Sequence, residues 1–346
     1  MNFARRLGVV LLAMVAIFCI AGPLATGREF SVVYPDYVRA APSLRPHPTD
    51  AEARAALARV AGRMRVQASD ISIADGMARA RLSAEKPVDL RALVYFARSD
   101  AFGPAKVLES RAQGREIEIA APLKRLWLPL GADPNGRDLL ARLMLAGRVS
   151  LLVGVLGSAV ALGFGVAYGM IAGYAGGKTD LVMMRAVDAL YALPFIFFVI
   201  LLTAFFGRRF VLLFVAIGAV EWLDMARLAR GQTLSLKSRE FVLAARSLGV
   251  GPAAILARHI APNIAGLVFA YLAVLAPRVI LVESFLSFLG LGVREPLTSL
   301  GVLVAEGARH LQDAPWLLIA PAALLMLLLY GFAFIGEDSA TRGRLR

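Results

Sequence analysis

The chain has 346 residues, 58% of them hydrophobic and only 18% charged, with a formal net charge of +13. Soluble domains average about 45–50% apolar and about 25% charged residues, so this composition excludes an ordinary soluble enzyme and points to the membrane class. The basic excess suits cytoplasmic loops and anionic headgroups better than nucleic acid, and the single cysteine, Cys19, excludes a disulfide framework or a cysteine-rich metal site.

A helix needs roughly 20 mainly apolar residues to cross the hydrocarbon core. Six stretches approach that length: Leu7 to Thr26, Val149 to Ala172, Ala189 to Phe206, Phe210 to Arg227, Ile264 to Leu286 and Ala314 to Gly336. An even number puts both termini on one side. Arg5 and Arg6, Lys178 and Arg185, the cluster from Arg227 to Arg258, and Arg342 to Arg346 all fall on that side, which the positive-inside rule makes the cytoplasm. Arg208 and Arg209, in a short outer turn, are the exception. The expected fold class is an all-α polytopic membrane protein of about six transmembrane helices, with a small extracytoplasmic α/β insert.

The predicted elements follow in chain order. Residues 1–27 form the first transmembrane helix, with a secretory signal as the alternative, since two arginines precede the apolar core and small residues follow it. Residues 28–125, rich in acids and arginines, form the insert. There Thr49 or Asp50 followed by Glu52 caps a helix through Met64, and alternation at Ile71 and Ile73 and at Ile117 and Ile119 predicts short strands. A partly ordered spacer is the alternative. Residues 126–148 precede the second span, residues 149–336 hold the transmembrane core with a cytoplasmic loop at 237–262, and residues 337–346 form a cytoplasmic tail.

Several signals imitate catalytic motifs. The stretch AGYAGGKTD ends in Gly177, Lys178 and Thr179 like a phosphate-binding loop, but the residue five before Gly177 is Ala172, and a membrane span precedes it instead of a strand. His47, His259 and His310 stand at no metal-binding spacing. Ser150 and Ser158 lie in apolar helix without the glycine pattern of a nucleophile elbow. No catalytic residue and no metal ligand is expected.

The loop QTLSLKSREFVLAARSLGVGPAAILARHIAPN breaks the hydrophobic pattern. Ser238 is the expected N-cap, and Glu240 lies in the first turn, where negative charge favours the helix start. Phe241, Ala244, Ala245 and Leu248 fall at i, i+3, i+4 and i+7 and predict one narrow apolar face. Gly249 supplies the stop, and Pro252 opens a second short helix ending near Pro262. Such a helix rests on lipid, packs on its own membrane helices or docks into a partner; alanines at the centre of the face permit close approach to protein.

This loop resembles the coupling motif of binding-protein-dependent ABC importer permeases, in which Glu-Ala-Ala is followed after three residues by Gly and farther on by Ile-x-Pro. Ala244, Ala245, Gly249, Ile260 and Pro262 match it, while Leu243 stands where the family usually has glutamate. LGADPNGRDLLARL is similar to another family segment, retaining Gly131, Asp133, Gly136, Arg137 and Asp138, with Ala132 replacing threonine. GYAGGKTD, WLDMARLARGQTLSLK and ESFLSFLGLGVREPLTSLG resemble the oligopeptide, dipeptide and nickel group, and its second oligopeptide-importer membrane subunit in particular.

The resemblance implies the type I ABC importer permease fold and a second permease subunit around a shared pathway. It also implies two ATPase subunits that bind ATP and Mg, an extracytoplasmic substrate-binding protein, and a place in the bacterial cytoplasmic membrane, with no cofactor on this chain. Glu240, Phe241, Ala244, Ala245, Gly249 and Pro262 would then couple to the ATPases, Gly249 and Pro252 acting as an elbow. Oligopeptides are the implied cargo, with dipeptides, nickel complexes or peptide antibiotics as alternatives. A channel or carrier without an ATPase would leave the loop unexplained.

Ionisable residues within spans are functional suspects by default. Asp188, Glu221, Asp224 and Glu283 are the candidates for the pathway. The alternative for Glu221 and Asp224 is pairing with Arg227 or Arg278, and Arg278, five residues from Glu283, is positioned in sequence to neutralise it.

Overall fold

The computed structural model of the chain describes residues 3–207, 210–293 and 295–343. Arg208, Arg209 and the tail residues 344–346 lie outside the described residues. Residues 28–142 form one compact unit, and the residues up to Gly27 together with those from Leu143 onward form another.

The first membrane helix, α1, runs from Phe3 to Thr26. Pro23 lies inside it and has no N–H, so the carbonyl of Cys19 loses its helical donor. Arg148 replaces it, donating from Nε to Cys19 O at 2.5 Å and from its terminal nitrogen to Ile20 O at 2.9 Å. Glycines let the neighbouring helices close in: a Cβ on Gly147 would lie 2.2 Å from Cys19 Sγ, and one on Gly8 would lie 2.7 Å from the Gly331 carbonyl oxygen.

In the unit of residues 28–142, helix α2 (Asp50–Met64) starts where the sequence predicts. Thr49 Oγ1 accepts from Glu52 N while the Glu52 carboxylate accepts from Thr49 N at 2.8 Å, a reciprocal capping box. Strands β1 (Gln67–Ala74) and β2 (Met77–Ser83), a short helix α3 (Val94–Arg98), and strands β3 (Lys106–Arg111) and β4 (Glu116–Pro122) follow. The strands form one antiparallel sheet in the order β1-β2-β4-β3. Pairing Ala80 with Ile119 and Leu82 with Ile117 sends both sets to one face, where they meet Ala56, Leu57 and Val60 of α2 and the edge-to-face pair Phe96 and Phe102. The folded α/β alternative is therefore the one adopted.

Helix α4 (Leu139–Ala175) has 37 residues, about 55 Å at 1.5 Å per residue, and exceeds the hydrocarbon core of roughly 30 Å. After it come α5 (Gly177–Tyr191) and α6 (Phe195–Phe206). The expectation of one span over Ala189–Phe206 is corrected here. The two helices meet at 81°, and Pro194 at the break lacks an N–H and disfavours helical backbone at Leu193. Alone, the 12 residues of α6 cover about 18 Å.

Helix α7 (Phe210–Leu236) covers the fourth expected span and runs beyond it. The loop then forms α8 (Glu240–Ser247) and α9 (Pro252–Ile255), a π turn over Leu256–Ile260, and the long α10 (Ala261–Phe288). The unit closes with α11 (Leu300–Arg309) and α12 (Trp316–Gly343). Among the described residues, four helical stretches are long and apolar enough to cross a membrane, and the bent α5–α6 pair makes five if taken as one broken span. Glu221, Asp224 and Arg227, around the middle of α7, set it apart from those four.

Two contacts hold this unit at close quarters. Along α4, Gly165, Gly169 and Gly173 face α7, where an added Cβ would lie 2.6 Å from Trp222 O, 2.2 Å from Ala226 O and 2.8 Å from Arg230 O. Small residues four apart let the backbones touch where apolar side chains gain nothing from leaving lipid. On α12, Pro321 deprives the Leu317 carbonyl of its donor, and α11 brings Gly307 against that oxygen, with an added Cβ at 2.4 Å.

Candidate functional site

The loop of residues 237–262 leaves α7 and returns into α10. The expected Ser238 cap is corrected: Arg239 is the N-cap and carries no side-chain capping bond, while Ser238 Oγ donates to Ser235 O at 3.1 Å, within the last turn of α7. Glu240 occupies the first turn of α8. Gly249 ends that helix with φ +80°, its N–H bonding Arg246 O and the Val250 N–H bonding Ala245 O, both at 3.1 Å. This pair of bonds is a Schellman stop, which requires the left-handed conformation glycine adopts freely.

The predicted apolar face divides into two. Val242 and Ala245, three apart, are buried against Ile255, Ile260 and Ile264 of the same chain. Phe241, Ala244 and Leu248 form the adjacent stripe and are exposed, Leu248 at 84%. The four-residue pattern merged them because Ala245 lies between the stripes and counts as apolar for either. Leu243, at the position the family gives to glutamate, is also exposed. An exposed apolar stripe on a helix whose other side is already packed is a surface free to receive another molecule.

A second correction concerns the end of the loop. Pro252 opens α9 at its first position, as its fixed φ favours. The helix does not stop near Pro262, because the π turn over Leu256–Ile260 carries it into α10, with Pro262 in the first turn there. The wider turn accommodates a proline that cannot donate, and Asn263 Nδ2 caps the neighbouring His259 carbonyl at 2.6 Å. The loop is thus one short helix, a left-handed stop, and the beginning of a long helix.

The four candidate pathway acids separate. Asp188 takes Arg227 at 3.0 Å, and that guanidinium also lies 4.5 Å from the centre of the Tyr191 ring. Arg278 joins Glu221 at 3.2 Å and Asp224 at 2.7 Å, linking α10 to α7. Glu283 is not neutralised by Arg278, which is engaged with those two acids. The Glu283 side chain is fully enclosed by its own chain, accepting from Ser287 Oγ at 2.7 Å, with Ser287 Oγ in turn 3.4 Å from Ser299 Oγ, the N-cap of α11. Its Oε2 has no hydrogen-bond partner among the described residues.

The segment containing Gly131, Asp133, Gly136, Arg137 and Asp138 is a closed knot. Asp133 accepts from the backbone of Asn135 and Arg137, each at 2.8 Å, from Arg137 Nε at 2.7 Å and from Arg142 at 2.6 Å. Gly136, at φ +80°, lies so close to Tyr34 that an added Cβ would sit 2.4 Å from its carbonyl oxygen. Asp138 accepts from Leu140 N at 2.9 Å at the start of α4 and pairs with Arg28.

Sequence reasoning missed the partners of the phosphate-loop lookalike. Asp180 holds Arg230 of α7 through two bonds of 2.5 and 2.7 Å, and Lys237 Nζ donates to Gly173 O at 2.9 Å. Arg230 lies on α7 and Lys237 one residue beyond its end, and their separation of seven continues one helix face without revealing what it meets.

In the unit of residues 28–142, burial pushes the Asp100 carboxyl up, and the charge of neighbouring Asp36 adds to it, against a backbone bond from Asp36. Glu52 goes the other way. Burial opposes its charge, but the bonds from Thr49 and His47 outweigh it and hold the carboxyl below its ordinary range.

Comparison with known proteins bears on this geometry. The family model described as binding-protein-dependent transport system inner membrane component matches residues 165–337, which include the whole loop and both flanking helices from Phe210 to Phe288. The chain is similar to the oligopeptide transport system permease protein OppC of Haemophilus influenzae, 51% identical over 218 residues, covering 63% of this chain and 70% of that protein. It is similar to OppC of Escherichia coli K12, 54% identical over 207 residues, 60% of this chain and 68% of that one. The dipeptide transport system permease protein DppC of Bacillus subtilis is 38% identical over 208 residues, 60% of this chain and 65% of that protein.

Proposed function

Because the chain belongs to the family of binding-protein-dependent transport system inner membrane components, we propose that it is the permease subunit of an ATP-driven importer of oligopeptides. In this reading its loop at 237–262 receives the partner ATPases. ATP and Mg bind to those partners. A second permease subunit completes the pathway, and a binding protein delivers cargo on the opposite face. Both termini of this chain then lie in the cytoplasm of a bacterium, on the side of the basic loop.

The observation that carries the reading is the two-sided packing of α8. Val242 and Ala245 fix the helix to its own subunit while Phe241, Ala244 and Leu248 are left uncovered. Closure of two ATPase domains would bias this helix between two positions, which is the population shift that an energised transporter needs. With Leu243 in place of glutamate, docking rests on shape and apolar area. The choice of oligopeptides rests on the two OppC proteins at 51% and 54% identity; OppC and DppC of Bacillus subtilis, both 38% identical, do not separate the two cargoes.

Asp188, Glu221 and Asp224 are the acids proposed to line the pathway, each already held by an arginine that cargo would have to displace or share. Mild solubilisation followed by copurification and identification of the bound subunits tests the proposal. Two ATPase chains and a second permease are expected, and recovery of the chain without any ATPase would overturn it.

A further inference from the structure

The stretch Ala172–Asp180, which imitates a phosphate loop, forms the corner between α4 and α5. Gly176 and Gly177 turn the chain there at φ +67° and +55°, conformations that side-chain-bearing residues rarely adopt. A Cβ on Gly176 would also lie 3.2 Å from Lys237 Nζ. The corner is therefore shaped around α7 as well as around its own turn.

Three contacts in succession lock α7 into it. Arg230 gives both of its bonds to Asp180, whose residue exposure is 8%. One turn on, buried Thr233 returns its hydroxyl to Ala229 O at 2.7 Å and packs against Gly173, where an added Cβ would lie 3.0 Å from Thr233 Cβ. After another turn Lys237 donates to Gly173 O. Three residues, 237–239, then separate the end of α7 from the start of α8.

A displacement of α8 thus reaches the membrane unit on two sides, through α9 into α10 and at the end of α7 that the corner grips. A two-pronged guanidinium–carboxylate pair fixes orientation as well as distance, and the glycine ladder above it brings α4 and α7 into backbone contact. We propose that Asp180, Arg230 and Lys237 are positioning residues for energy coupling, clamping α7 to the α4–α5 corner so that movement of α8 shifts α4, α5 and α7 as one body. This role rests on the reading of the loop as an ATPase-receiving segment.

The test uses the complete transporter, with both permeases, ATPases and binding protein, reconstituted in proteoliposomes. ATP hydrolysed per peptide imported is measured for wild type, Asp180→Asn, Arg230→Lys and Lys237→Met, with ATPase content quantified in each preparation. Asp180→Asn should raise the ratio at least fivefold at unchanged ATPase content. Arg230→Lys, which keeps the charge but not the fork, should fall between Asp180→Asn and wild type. A wild-type ratio in both Asp180→Asn and Lys237→Met would overturn the clamp, as would a loss of uptake that follows only the amount of assembled complex. Absence of ATPase from the wild-type preparation would overturn the parent reading and this role with it.

Discussion

Replacing Gly249 isolates the backbone's part in the loop, because nothing lies within 4 Å of a Cβ added there. A Cβ at this position meets no neighbour, so the first cost of a substitution comes from φ. At φ +80° a side-chain-bearing residue loses roughly 1–2 kcal/mol relative to glycine, more if β-branched, whereas asparagine tolerates the region. A shift of that size changes the occupancy of the Schellman stop by about 5- to 30-fold, and with it the angle at which α8 leads into α9. In proteoliposomes containing the partner subunits, peptide uptake per ATP should decline in the order Gly, Asn, Ala, Val. Membrane insertion and ATPase recovery should be unchanged. Wild-type coupling in Gly249→Val would refute the reasoning. So would asparagine proving as harmful as valine, since size and not φ would then decide the outcome.

Further outcomes follow from the same geometry. Leu248→Asp, at an 84% exposed position, should reduce ATPase recovery at least tenfold without lowering the thermal stability of the isolated chain; Val242→Asp, at a buried one, should lower stability first. Gly169→Leu forces apart backbones that leave 2.2 Å between a Cβ and Ala226 O, and its overpacking of about 1–3 kcal/mol should appear as a lower melting temperature in nanodiscs. The Glu52 carboxyl, held low by its folded partners, stabilises above its unfolded value near 4.3 and loses that contribution as pH falls through the folded value. Glu52→Gln, which can keep the capping hydrogen bond but not the charge, should therefore increase hydrogen exchange across α2 at neutral pH by a few tenths of a kcal/mol of protection, and the difference from wild type should vanish in acid. A difference that persists there would contradict the role of the charge.

Much of this molecule was legible in the chain, and the limits have physical origins. Thr49 and Glu52 announced α2 because both halves of a capping box are local. The edge strand β1 and the central strand β4 showed through isoleucines, but the other central strand, β2, alternates Ala78, Ala80 and Leu82 with arginines, and alanine gives too little apolar contrast to register. Composition placed the spans, yet Pro194 outweighed the apolar run from Ala189 to Phe206 and bent it. The loop's stop at Gly249 was visible because a glycine after a periodic helix is a backbone requirement. Which side of α8 turns inward was not, since Val242 and Ala245 differ from Phe241 and Ala244 only in what lies opposite them. The Asp180–Arg230 pair spans 50 residues and left no periodic trace.

The pairing of Arg28 with Asp138, together with the bond from Tyr34 N to Gly136 O at 2.8 Å and the bridge between Val33 and Arg137, staples the beginning of the unit of residues 28–142 to its end. A unit whose entry and exit points are neighbours is a cassette: it can be lengthened, shortened or exchanged without changing the separation that its host must span. The staple is made from the Gly-Arg-Asp segment resembling that of the permease family, whereas the sheet and α2 lie inside the bracket. The sheet and its helix are therefore open to replacement by a short linker from His47 to Leu126, whose backbones already bond each other at 2.7 and 2.6 Å, leaving the bracket intact.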